Sequence, residues 1–140
     1  MKFLLDTCLI SEIIRREPNR QVLRWLESQE EAALFLSVLT LGELQKGITK
    51  LPDSPKKSEL QAWVSNDLAA RFEGRLLPID GEVAATWGRL LGTAERQGKK
   101  LPVMDSLIAA TAITHNLTVV TRNTRDLERC QAKVFNPWKD

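Results

Sequence analysis

Five short apolar runs alternate with segments of helical period along this chain, and acids sit where the runs meet the helices. The runs are Lys2–Asp6, Ala33–Val38, Leu76–Ile79, Leu117–Thr121 and Lys133–Phe135. Leu117–Thr121 has the strongest strand character, because Leu-Thr-Val-Val-Thr is rich in β-branched side chains. Between the runs, Thr7–Arg16 sets Leu9, Ile10, Ile13 and Ile14 at helical spacing, and Pro18 opens a second helix, Asn19–Ser28. Thr40–Leu51 carries Leu41, Leu44 and Ile48 on one face, and Leu60, Trp63, Val64, Leu68 and Phe72 recur at intervals of three and four until Gly74. Asp80 can cap a helix bearing Val83, Trp87 and Leu90 that Gly98 ends. Pro102 introduces a helix to His115 that is apolar or small on nearly every side, so it is expected to be buried. A short polar turn is expected between Thr121 and the last strand. Strands separated by helices need crossover connections, hence a mainly parallel sheet covered on both faces. One α/β sandwich over residues 1–140 accounts for the whole chain.

A chain of 140 residues can bury about two-thirds of its unfolded surface without cross-links. The net charge of +2 permits a nucleic-acid partner without arguing for one. Cys8 and Cys130 lie far apart with no metal-binding spacing, so each is expected to be a small buried apolar side chain, reduced in a cytoplasmic protein. Met1–Asp6 meets a charge too early for a secretory leader, and no apolar run approaches the ~20 residues of a membrane helix.

In parallel α/β folds, ligands bind outside the carboxyl ends of the strands. Asp6 closes the first strand there, and Glu43 falls in the first turn of the helix after the second. Asp105 opens a helix antiparallel to the fourth strand, while Asn123 and Asp126 follow that strand; all reach the same edge. Each has a local alternative. Thr40-Leu41-Gly42-Glu43 fits a capping box, Asp6 and Asp105 can stabilise helix N-termini, and Asp126 can be a solvated charge. Together, however, clustered carboxylates repel one another unless a cation neutralises them, and an all-oxygen donor set suits Mg²⁺ or Mn²⁺. Such an ion can polarise a phosphodiester and acidify water, so the chemistry needs no histidine; His115 is expected to be a helix-end or partly exposed ring. Zinc ligands and a phosphate-binding G-x-x-x-x-G-K-[ST] run are both missing. Arg122, beside the acidic edge, is the best phosphate contact among scattered basic residues, and Trp25, Trp63, Trp87 and Trp138 are expected to pack.

The segments Leu4-Leu5-Asp6-Thr7, Ser37-Val38-Leu39-Thr40-Leu41-Gly42-Glu43-Leu44, Asp105-Ser106-Leu107-Ile108-Ala109-Ala110-Thr111-Ala112, Leu117-Thr118-Val119-Val120-Thr121-Arg122-Asn123 and Phe135-Asn136-Pro137-Trp138, in this order, resemble the PIN-domain toxins of the VapC type. The resemblance implies a PIN-like three-layer sandwich with strand order 3-2-1-4-5 and a homodimer. It also implies a Mg²⁺- or Mn²⁺-dependent endoribonuclease that acts on RNA as the toxin of a toxin–antitoxin pair. Its partner would be a cognate antitoxin, with higher toxin–antitoxin assembly open beyond the dimer, and operator DNA would be contacted only through the antitoxin. Family metal ligands map onto Asp6, Glu43 and Asp105. A fourth acid, often present after the fourth strand, is Asn123 here, with Asp126 three residues later; the usual Asp-Thr-Asn start reads Asp6-Thr7-Cys8. Thr7, Ser106, Thr121 and Arg122 are expected to support the carboxylates or contact phosphate. The alternatives are a PIN-like binding module without catalysis and, less well matched, a phosphoryl-accepting receiver domain that would need Asp80 as its acceptor.

Overall fold

The structure, a computed structural model, describes residues 1–139. Strand β1 (Phe3–Leu5) is buried along its whole length, and its alternate side chains feed different cores. Phe3 and Leu5 join Leu9, Val22, Leu36, Leu68 and Val120 on one face of the sheet, whereas Leu4 joins Ile108, Ala109, Val119 and Leu127 on the other. A strand whose two sides are both apolar must be covered on both faces. The remaining strands are β2 (Leu34–Ser37), β3 (Leu76–Leu77), β4 (Thr118–Val120) and β5 (Val134–Phe135). They pair in parallel in the order β3-β2-β1-β4-β5, the order the resemblance implied.

Helices α1 (Thr7–Ile13), α2 (Arg20–Glu27) and α3 (Val38–Thr49) cover the first face, along with α4 (Pro55–Ala62) and a π-helical stretch at Trp63–Leu68, which runs on into the exposed turn of α5 (Ala69–Arg71). Helices α6 (Gly81–Arg96), α7 (Val103–His115) and α8 (Thr124–Arg129) cover the second. Gly98, at φ +73°, supplies the left-handed turn after α6 that a side chain would strain.

Three expectations need correction. Helix α3 starts earlier than its pattern suggested: the Ser37 hydroxyl accepts from the Leu39 amide at 3.0 Å, and Thr40 lies inside the helix, fully buried. No capping box forms, and Glu43 sits in the second turn with its carboxylate released from that duty. The polar stretch after β4 is helix α8, because Leu127 anchors it to the second core. Helix α7 is buried along Ile108–Ala112 but not all round, since Val103 is 61% and Ile113 40% exposed.

Candidate acidic site

Crossover helices and strand ends deliver the predicted acids to one edge of the sheet. Asp6 leaves β1 while its amide still donates to the Val120 carbonyl at 3.0 Å. One carboxylate oxygen, Oδ1, accepts from the Thr7 amide at 2.9 Å and so caps α1. The other, Oδ2, accepts from the Thr121 hydroxyl at 2.8 Å, and Thr121 Oγ1 in turn accepts from the Asn123 amide at 2.9 Å. The Thr7 hydroxyl donates to Glu43 Oε1 at 2.6 Å, linking α1 to α3. Asp105 stands in the first turn of α7, which Pro102 starts without a side-chain cap. Asp6, Glu43 and Asp105 all line one cavity of about 410 Å³, with Thr7, Cys8, Asn123 and Arg122 at its walls and Met104 and Ile108 as its apolar side.

Electrostatics couple these groups. Burial pushes the Asp105 carboxyl above its ordinary range, and the neighbouring charges of Asp126, then Asp6, then Glu43 push it further. Asp126, in the first turn of α8, lies outside the cavity lining yet exerts the largest of those three effects. The charged donors of the lining are thus carboxylate oxygens, with hydroxyls behind them and the Cys8 thiol and Asn123 at the wall, a chemistry of the kind a hard divalent cation takes. Among the described residues no three acid side chains already close into a finished cation cage. An open mouth still suits Mg²⁺, which binds through one or two carboxylates and keeps several waters. His115 lies at the opposite end of α7, about 15 Å from Asp105 along the helix axis, with its Nε2 buried and without a partner.

Some supporting roles fall to other residues than the sequence suggested. Ser106, expected near phosphate or the carboxylates, is fully buried; its hydroxyl donates to the Val103 carbonyl and accepts from Trp87 Nε1, both at 2.9 Å. It ties α6 to α7 and does not line the cavity. Cys8 is not an inert core thiol. It is partly exposed, its sulfur 3.6 Å from Asp6 Oδ2 and 3.5 Å from Thr121 Oγ1, and it accepts from the Arg122 amide at 3.4 Å. Burial and the nearby Asp6 charge raise its pKa, so the thiol stays protonated. Arg122 lines the cavity, but its Nη2 donates to Glu12 Oε1 at 3.0 Å and its guanidinium lies over the Trp138 ring. Sequence reasoning passed over Glu12, a carboxylate only 3% exposed, because its partners Arg122 and Trp138 are 110 and 126 positions away.

The Thr121 bond suggests a direct test. Thr121→Val keeps the shape but leaves Asp6 Oδ2 without its hydroxyl donor, and the fall in Mn²⁺ affinity should be about 10- to 100-fold. Titration of Mn²⁺ by calorimetry or electron paramagnetic resonance would read it, and unchanged affinity would remove Thr121 from the site.

A parallel sheet in this order, helices on both faces and acids converging at its carboxyl edge define the class: a three-layer α/β sandwich with an acidic strand-end site. The chain belongs to the PIN-domain family, whose model, described as PIN domain, matches residues 3–133. It is 40% identical to Toxin FitB of Neisseria gonorrhoeae over 98% of this chain and 99% of that protein. It is 34% identical to VapC ribonuclease Y4jK of Sinorhizobium fredii over 97% of both. A solved structure of FitAB bound to an IR36 DNA fragment superposes with a TM-score of 0.91 at 38% identity, covering 99% of this chain and 96% of that one.

Proposed function

We propose that this protein is the toxin of a type II toxin–antitoxin pair, a Mg²⁺- or Mn²⁺-dependent endoribonuclease held inactive by a cognate antitoxin. The observation that carries the reading is the charge imbalance at the cavity: Asp6, Glu43 and Asp105 share its lining, with the Asp105 carboxyl pushed up by burial and by Asp126, Asp6 and Glu43, while among the described residues the one cation in the lining, Arg122, is bonded to Glu12. Relatives named as a toxin and as a VapC ribonuclease, each aligned over nearly its full length, support the same reading. The FitAB–DNA complex supports a partner protein through which operator DNA is engaged.

Asp6 and Asp105 are the direct ligands in this scheme, and Glu43 either ligates or orients water. Asn123 and Asp126 complete the surroundings. A bound divalent ion would supply positive charge to the scissile phosphate and lower the pKa of water. The chain's own contribution is placement: Thr121 and the Thr7 amide hold the two oxygens of Asp6, and the Thr7 hydroxyl holds Glu43. Met104 and Ile108 form an apolar wall on one side of the cavity. Cleavage should leave 5′-phosphate and 3′-hydroxyl ends. The homodimer belongs to the same proposal, as does a cytoplasmic site of action; among the described residues no helix is long and apolar enough to cross a membrane.

Incubating the purified chain with a panel of RNAs in Mg²⁺, Mn²⁺ or EDTA tests the reading, with cleavage expected only in the metal arms. Cleavage that persists in EDTA would overturn it. No cleavage of any RNA, combined with retained antitoxin binding, would favour the non-catalytic module, for which the Cys8 and Asn123 departures are the supporting feature.

A further inference from the structure

Glu12 is a buried charge that the scheme above does not use. Its Oε1 accepts from Arg122 Nη2 and from Trp138 Nε1, each at 3.0 Å. Its Oε2 accepts from the Asn19 amide at 3.1 Å, and Arg15 Nη1 reaches the same oxygen at 3.2 Å. A desolvated carboxylate is costly unless nearly all its lone pairs are met, and here they are met from three separate stretches of chain. The Trp138 ring does two jobs: its N–H binds Glu12, and its face carries the Arg122 guanidinium 4.5 Å from the ring centre. Trp138 is itself set by a turn in which Asn136 Oδ1 accepts the Trp138 amide at 2.9 Å.

An arginine held by one nitrogen and one ring face still has donors to give. Arg122 Nε and Nη1 have no protein partner among the described residues, its side chain is 57% exposed, and it lines the acidic cavity beside Asn123. Free in solution, a long side chain with several rotors would lose much of that freedom on binding an anion. Fixed between a carboxylate and an indole, it has already lost it.

We propose that Glu12 and Trp138 are positioning residues that hold the Arg122 guanidinium at the rim of the acidic cavity, its free edge presented to a phosphate of single-stranded RNA. The inference rests on the ribonuclease reading for the identity of the substrate. Glu12 also cancels part of the attraction between Arg122 and the cavity carboxylates, so the guanidinium stays at the rim and does not collapse onto Asp6. Substrate phosphate then meets an oriented donor, and the carboxylates stay available.

The test is binding of a fluorescein-labelled single-stranded RNA to the purified full chain in EDTA, by anisotropy across a salt series. Arg122→Ala should weaken binding about tenfold and make the log–log salt slope shallower by about 0.7, the share of one phosphate contact. Trp138→Phe keeps an aromatic face but lacks the N–H, and should weaken binding about two- to tenfold with Arg122 untouched. Glu12→Gln should follow Trp138→Phe, and the double change Trp138→Phe with Arg122→Ala should bind no more weakly than Arg122→Ala alone. In cleavage assays KM should rise with kcat nearly unchanged, a split that general unfolding would not give. If Trp138→Phe and Glu12→Gln fold and bind as the wild type while Arg122→Ala does not, the bracket is refuted and the ribonuclease reading stands. A wild type that binds no RNA in EDTA at any salt concentration would refute the bracket, and the ribonuclease reading would then be judged separately by cleavage in Mg²⁺.

Discussion

Asp105→Asn is expected to lower RNA cleavage on the order of 10²–10³-fold, the usual weight of one preorganised electrostatic group. The same change should raise the thermal midpoint in EDTA. Because the folded pKa of Asp105 lies above its ordinary 3.8, its charged form opposes folding at neutral pH, and protonation on acidification relieves the strain. Asparagine removes the charge while keeping the shape, so the gain in stability and the loss of activity come from one cause. Mn²⁺ should raise the wild-type midpoint by mass action and leave the variant's almost unmoved. Equal cleavage by the two proteins, or equal stabilisation by Mn²⁺, would remove Asp105 from the proposed metal site.

Glu12→Ala is expected to destabilise the fold by about 1–3 kcal/mol, since it leaves the Trp138 indole N–H and the Asn19 amide without their acceptor, while the exposed Arg15 and Arg122 return to water. The Trp138 N–H is the foremost cause of a Glu12 pKa below its ordinary 4.5; burial opposes it, and the Asn19 amide and Arg15 add to it. A depressed folded pKa sets the sign. The stability it confers is present above about pH 4.5 and drains away as pH falls through the lower folded value. The urea-midpoint advantage of the wild type over Trp138→Phe should therefore shrink from pH 7 down to pH 3, the opposite-signed contribution of Asp105 being common to both proteins. A variant with the wild-type midpoint at every pH would mean that Glu12 carries no such load.

The acids and the strands were readable for the same reason. Leu4-Leu5-Asp6 and Val119-Val120-Thr121 are local patterns: an apolar run announces a buried strand, and whatever ends it emerges at the carboxyl edge. Asp105 was similarly placed by Pro102, three residues upstream. What escaped was decided by distant partners. Ser106 looks like a surface hydroxyl until Trp87 lies against it. Ser37 and Thr40 are both competent caps, and burial of Thr40 chooses between them. Helix α8 has a single deeply buried apolar anchor, Leu127, amid Arg125, Asp126, Glu128 and Arg129, too little for a period to show. Cys8 lacks a neighbour in sequence that would betray its contact with Thr121, 113 positions on.

The turn at Asn136–Trp138 has a practical side. Trp138 is built into the cavity rim, since it grips a carboxylate in the first helix and carries an arginine that lines the acidic cavity. An affinity handle or fluorescent fusion attached just behind it would pull on that grip, and a weak or silent preparation would then be an artefact of the label. A label at Met1, 92% exposed ahead of β1, would sit at the amino edge of the sheet, away from that grip.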